Sequence, residues 1–396
     1  MRVFFIRKRH ILIGLIVFIL LSVGLGIAAN LDKIVYRYSK LHKVVVVDAG
    51  HGSIDPGAHY GDLKEKDLNL QIAFILKEVL EKANMEVVMT RTDDSLYKKS
   101  RREDIKYRPR KANEVNADVF VSIHCNKYPS PEPYGGQAYY YSGEQSKFLA
   151  EQIQVELEKI QPGNRRSIGR GNYYVLKKTE CPAVLIEVGF LSSAIDRKRL
   201  QDPNEQRQVA NAIRDGLISF FHNQFAEGTD EVEETEEIPQ DEVTHLSEGF
   251  NLYFASSTPE GERLKKVHKP LPTEKVLAVS NKYNNLTFLE RVAVESIEQL
   301  IAGPEDETLA PVMPPGTELK SISIKHGRAV LNFNSELVEN HWGGAAGEKM
   351  TIESIVRTLT TLPGIDQVEI LINGEKGKTI AGHIILDEPI DLNILH

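Results

Sequence analysis

The sequence predicts an α/β protein of two folded domains, and three observations predict it. The chain has 396 residues, more than one hydrophobic core usually serves. Between Lys43 and Phe225 short β-rich runs alternate with stretches of helical periodicity, the pattern of a largely parallel sheet covered by helices. A strongly acidic segment then separates that region from a second stretch of mixed strands and helices. An apolar fraction of 41% and a charged fraction of 26% belong to ordinary globular proteins and exclude a disordered or multi-span chain.

Residues 1–42 form the first unit. Arg7-Lys8-Arg9-His10 precedes Ile11 to Ala29, nineteen residues without a charge. Such a run predicts a membrane-crossing helix with its basic flank in the cytoplasm, so the rest of the chain is expected outside it. Gly26, Ala28 and Ala29 also suit a signal-peptidase site, which leaves secretion as the alternative to anchoring; the length of the run favours the anchor.

Residues 43–225 form the first domain. Val44 to Val47 reads as a buried strand, and Leu68 to Lys82 as a helix with Leu68, Ile72, Ile75, Leu76 and Leu80 on one side. Further strands are expected at Met85 to Met89, Val119 to Ile123, Gln137 to Tyr141, Tyr173 to Leu176 and Ala183 to Val188. Helices are expected near Gln145 to Lys159 and Glu205 to Phe221. Cys125 and Cys181 form no C-x-x-C pattern and read as small buried apolar groups.

Residues 226–249 read as a flexible linker. Ala226 to Glu248 holds ten acidic residues and no Lys or Arg, so the net charge of −8 lies there and the rest of the chain carries +2. That balance leaves no basic face for a nucleic-acid partner. Residues 250–396 form the second domain, with strands expected at Phe250 to Ala255 and Ser321 to Phe333 and helices at Leu286 to Ala302 and Met350 to Thr361. Within it no grouping of His, Cys or acids in the sequence suggests chemistry. Trp342 reads as a core residue or as a glycan-stacking or partner contact.

Three apolar strands run straight into polar groups: Val44-Val45-Val46-Val47-Asp48-Ala49-Gly50-His51, Val119-Phe120-Val121-Ser122-Ile123-His124, and Ala183-Val184-Leu185-Ile186-Glu187. Ligands bind beyond the carboxyl ends of strands in α/β sheets, so two imidazoles and a carboxylate are expected at one rim. Glu65 starts the first helix after a Gly-rich loop that can return it to the same rim. Two His and one Glu form a catalytic zinc set, with Glu187 left as acid or base. A carboxylate after so apolar a strand is expected to have a water at the metal or a cation beside it. Taken singly, His51 reads as a turn residue and Glu65 as a solvated helix-start charge. The other histidines, such as His42, His59 and His222, lie in polar contexts with no partner pattern and are excluded as ligands.

Asp48-Ala49-Gly50-His51-Gly52, Glu65-Lys66-Asp67-Leu68-Asn69, Ser122-Ile123-His124-Cys125-Asn126 and Ile186-Glu187-Val188-Gly189-Phe190-Leu191-Ser192 together resemble the zinc-dependent N-acetylmuramoyl-L-alanine amidases. Thr90-Arg91-Thr92-Asp93 and Arg108 to Asn113 are similar to the same family's pattern. The resemblance implies Zn2+ on His51, Glu65 and His124, Glu187 as catalytic acid or base, and peptidoglycan as substrate, cut between the lactyl group of muramic acid and L-alanine. Cys125 departs from the Ala common in relatives, and its backbone is expected to direct the thiol away. The second domain resembles the GerMN module of sporulation and germination proteins, through Leu252-Tyr253-Phe254, Leu300-Ile301-Ala302-Gly303-Pro304, Pro314-Pro315-Gly316-Thr317 and Thr358-Leu359-Thr360-Thr361-Leu362-Pro363. It is read as a binding or assembly module for a cell-wall or sporulation partner.

Two other readings use the same residues: a zinc peptidase cutting within the stem peptide, and a non-catalytic peptidoglycan-binding scaffold, against which the retained Glu187 speaks. Only a short segment, Lys127 to Gly136, joins the His124 strand to the next, so no blocking insertion and no self-inhibition are expected. Deleting everything after Glu248 is expected to leave catalysis on soluble muropeptides largely unchanged, because the linker separates the two cores.

Overall fold

A computed structural model describes residues 43–129, 133–223, 249–258, 261–271 and 286–392. The apolar run 11–29 and the acidic segment 226–248 lie outside the described residues, and among the described residues no helix is long and apolar enough to cross a membrane.

The chain enters through β1 (Val44–Ala49), then a two-stranded ribbon of β2 (His59–Tyr60) and β3 (Leu63–Lys64), and α1 (Glu65–Lys82). There follow β4 (Glu86–Met89), α2 (Arg101–Glu114), β5 (Val119–Asn126), β6 (Gln137–Tyr140), α3 (Glu144–Ile160), β7 (Gly169–Arg170), α4 (Tyr174–Lys177), β8 (Ala183–Phe190), α5 (Ala194–Leu200) and α6 (Pro203–Asn223). The six-stranded sheet has the order β4-β1-β5-β8-β6-β7. β4, β1, β5 and β8 are parallel, whereas β6 runs antiparallel to β8 and carries β7 parallel to itself, so the sheet is mixed. The expected strand at Tyr173 to Leu176 is the short helix α4: four apolar residues carry too little periodicity to separate helix from strand.

Alternation along the strands divides the sheet into two faces. Val45, Val47, Val121, Ile123, Val184 and Ile186 pack with Leu68, Ile72, Leu76, Leu149, Ile153 and Ile213 of α1, α3 and α6. Val46, Phe120 and Leu185 face the other way, beside Ile105 of α2 and Val175 of α4. Asp48, Ser122, His124 and Glu187 continue that second face at the carboxyl ends of the strands, all buried.

The second domain begins with the hairpin β9 (Phe250–Thr258) and β10 (Gly261–Lys269), followed by α7 (Phe288–Ala302), whose Thr287–Glu290 capping box fixes its start. β11 (Leu319–Lys325) and β12 (Arg328–Phe333) form a hairpin, where a single strand over Ser321 to Phe333 was expected. The turn at His326-Gly327 places both residues at positive φ, 49° and 76°, as a tight hairpin requires. α8 (Glu336–Glu339), α9 (Ala345–Thr360) and β13 (Gln367–Ile372), parallel to β12, complete it.

The two domains share one core. A continuous buried cluster runs from Val46, Phe120 and Leu185 through Tyr173 to Phe254, Ile352 and Ile384. Arg166 and Glu262 form a two-pronged ion pair across the boundary, 2.7 Å on each arm, with side chains only 2% and 3% exposed. The expectation of two cores held apart by a linker is therefore corrected: the second domain covers the face of the sheet that carries the polar strand endings.

Candidate active site

Parallel pairing sets His124 directly opposite Glu187, because the two residues are register partners on β5 and β8. His51 lies two residues beyond β1, in the left-handed region at φ 61°. Two arginines hold that strained turn. Arg91 donates to the carbonyls of Ala49 at 2.8 Å and Gly50 at 3.0 Å, and Arg108 to those of Ala49 at 2.7 Å and His51 at 2.9 Å. Arg108 is itself paired with Asp48 at 2.6 Å, and Asp48 accepts the hydroxyls of Thr90 and Ser122, each at 2.6 Å. Burial alone would raise the Asp48 pKa; Arg108 and the two hydroxyls hold it below the usual carboxylate range. These contacts give the Thr90-Arg91 and Arg108 blocks a physical role.

Glu65 returns to the rim as expected. Its Oε2 accepts the Ala58 N–H at 2.7 Å, and its Oε1 accepts the Cys125 N–H at 3.0 Å and the Asn69 amide at 3.2 Å. Gly57 makes room for it, since at φ +64° a Cβ there would lie 2.5 Å from Glu65 Oε2 and 2.6 Å from the His51 ring. Glu65 Oε1 is 3.2 Å from His51 Nε2 and 2.9 Å from His124 Nδ1. Cys125 has its side chain in the cluster on the opposite face, and burial pushes its thiol pKa well up. Neither Cys125 nor Cys181 is in a disulfide.

The donor set fits a zinc ion. His51 Nε2 is buried and makes no aligned hydrogen bond, Glu65 Oε1 lying 3.2 Å away, while its Nδ1 is held by Asp55 at 2.8 Å, so the carboxylate aims the other nitrogen into the cluster. Burial opposes charge on His51, yet Glu65 and Asp55 overcome it and raise its pKa to about 10, a field that equally favours a metal cation. Burial lowers His124 to about 4, keeping that imidazole in the neutral form a ligand needs. Burial, then the neighbouring Glu65, push Glu187 well above the carboxylate range. Glu187 Oε1 accepts the Ala345 N–H at 3.1 Å and its Oε2 is buried with no partner. One of its oxygens is thus taken by the first turn of α9, while the other stays unpaired beside the cluster.

The exclusion of the other histidines is corrected by a fourth group. His383, from the second domain, joins His51, Glu65 and His124, with one ligand atom of each within 4.8 Å of the others. No spacing signal marks it, since it lies 259 residues from His124, its closest partner in the cluster. Asp55 and Asn69 were also missed, because each acts only through a ligand.

A two-His, one-Glu cluster with a further carboxylate, at the carboxyl rim of an α/β sheet, defines the class of metal-dependent hydrolases. Residues 45–219 match the family described as N-acetylmuramoyl-L-alanine amidase, and residues 251–378 the family described as sporulation and spore germination. The germination-specific N-acetylmuramoyl-L-alanine amidase of Bacillus subtilis is 33% identical over 189 residues, which cover 45% of this chain and 80% of that protein. The amidase LytC of the same organism is 34% identical over 182 residues, 45% of this chain and 36% of LytC. Among solved structures, the CwlD amidase of Clostridioides difficile in complex with the GerS lipoprotein shows 37% identity at a TM-score of 0.44, covering 46% of this chain and 99% of that one. The chain belongs to the N-acetylmuramoyl-L-alanine amidase family.

Proposed function

We propose that the chain is a zinc-dependent N-acetylmuramoyl-L-alanine amidase acting on peptidoglycan outside the cytoplasmic membrane, where the apolar run Ile11 to Ala29 anchors it. The observation that carries this reading is the convergence of His51 Nε2, Glu65 Oε1 and His124 Nδ1 beside Glu187. Zinc, when bound, supplies Lewis-acid polarisation of the scissile carbonyl and makes water nucleophilic at neutral pH. In the hydrolysis, water oxygen bonds to the lactyl carbonyl carbon and the C–N bond to L-alanine breaks. Glu187 takes a proton from the attacking water and gives it to the leaving nitrogen; burial beside Glu65 raises its affinity for that proton. Asp55 and Asn69 orient His51 and Glu65, and Arg91 and Arg108 fix the turn between β1 and the site.

A role in sporulation or germination is supported by the family matched over residues 251–378 and by the name of the Bacillus subtilis relative. The same family match supports a sporulation protein as partner of the second domain.

The test is mass analysis of purified peptidoglycan digested by the zinc-loaded full chain. It is run also on the Glu262→Arg form, which reverses one side of the ion pair holding the second domain down. Free peptides beginning with L-alanine are expected, with Glu187→Gln lowering their yield by about 10²–10⁴ while zinc stays bound. Cuts within the stem would establish a peptidase. Zinc binding without new termini from either form would establish a binding protein.

A further inference from the structure

A catalytic zinc site needs one position free for water and substrate. Around this cluster that position is closed to a substrate. His383 Nε2 stands 3.3 Å from His124 Nδ1, and the cavity bordered by His51, His124 and His383 measures about 20 Å³, room for about one water and far too small for a muropeptide.

His383 is equipped as a ligand. Its Nδ1 is held by Glu348 at 2.9 Å, as His51 Nδ1 is held by Asp55, which leaves Nε2 to face the cluster. Glu348 is fully buried and accepts the N–H groups of Ile380 and His383, each at 2.8 Å, so the ring has its own supporting shell. A histidine needed only for packing would not call for a buried carboxylate with three donors.

The same helix binds the catalytic carboxylate. Glu348 lies one turn into α9, and Ala345 at its start donates to Glu187. The loop before it is shaped for close approach. A Cβ on Gly343, at φ +82°, would lie 2.6 Å from the Ala58 Cα, and one on Gly344 would run into the Asn126 side-chain oxygen. The Tyr174 N–H donates to the His383 carbonyl at 2.9 Å, and Lys349 reaches the Arg170 carbonyl at 2.7 Å.

We propose that the second domain is a built-in inhibitor of the amidase, in which His383 completes the zinc coordination and the first turn of α9 occupies Glu187. The domain must lift for substrate to enter. The inference rests on the zinc reading above and runs against the expectation that the chain has no self-inhibition.

The test loads the full chain, in detergent micelles, with cobalt(II) in place of zinc and follows the visible spectrum during azide titration. Peptide release from peptidoglycan by the zinc form is measured alongside. The wild-type spectrum is expected to ignore azide, because four protein ligands fill the coordination, whereas His383→Ala should respond to it. Glu262→Arg leaves every ligand in place and acts through the interface alone, so it checks the result if His383→Ala misfolds. Both variants should release peptides about tenfold or more faster than wild type. A wild-type spectrum that shifts with azide as readily as the variants' would overturn the proposal. Equal release rates would overturn the inhibition. Spectra that behave as expected with no peptide release from any form would instead sink the amidase reading and leave the His383 ligand standing.

Discussion

Asp48 shows what one buried residue contributes. Its charge neutralises Arg108, whose other hydrogen bonds hold the Ala49 and His51 carbonyls, so the pair supports the ligand turn as well as the core. Asp48→Ala leaves a buried guanidinium without that partner and is expected to destabilise the protein by about 3–5 kcal/mol, read from denaturant midpoints. The Asp48 pKa is depressed in the fold, so its stabilisation is complete above the unfolded carboxylate pKa and is lost as pH falls through the lower folded value. Acid titration of stability should therefore be shallower in Asp48→Asn than in wild type below about pH 4. Asp55→Ala removes the group that aims His51 and should weaken zinc binding about 10–100-fold by competition with a chelator, with the fold retained. At this scale His51, Glu65, His124 and Glu187 were legible because strand endings or a helix start mark them. His383 and Glu348 were not, since a ligand from a distant domain leaves no local pattern.

Among the elements, β1, β5 and β8 were legible because near-continuous apolar runs mark strands buried on both faces, whereas β7 gave no signal and α4 was too short to show a period. Met350 to Thr361 was read as the last long helix, but α9 begins at Ala345, after two glycines in place of a Ser, Thr or Asp cap. Those glycines answer to the interface and not to helix propensity, which is why the helix start gave no signal. Gly344→Val should push the start of α9 off the sheet rim. Hydrogen–deuterium exchange should then rise at Ala345 and its neighbours while the β5 and β8 amides stay protected. Unchanged exchange at Ala345 would show that the close approach of Gly344 to Asn126 does not hold this helix in place.

For the molecule as a whole, the two domains and the acidic segment between them were visible in composition and in the alternation of elements. Their packing was not, because the contacts that join them connect residues far apart in the chain. The shared cluster from Phe120 to Ile384 and the buried Arg166–Glu262 pair make the domains one cooperative unit. Calorimetry should show one transition for wild type, separating into two in Glu262→Arg. Deletion after Glu248, expected from the sequence to leave catalysis on soluble muropeptides largely unchanged, uncovers the apolar face around Phe120 and Tyr173 and removes His383 from the cluster.

The central claim is that residues from both domains build a single metal centre. Diffraction from crystals of the zinc-soaked full chain, recorded on both sides of the zinc absorption edge, addresses it directly. The account predicts one strong anomalous peak enclosed by His51, Glu65, His124 and His383. A peak bound by His51, Glu65 and His124 with His383 turned away, or no peak at the cluster, would contradict it.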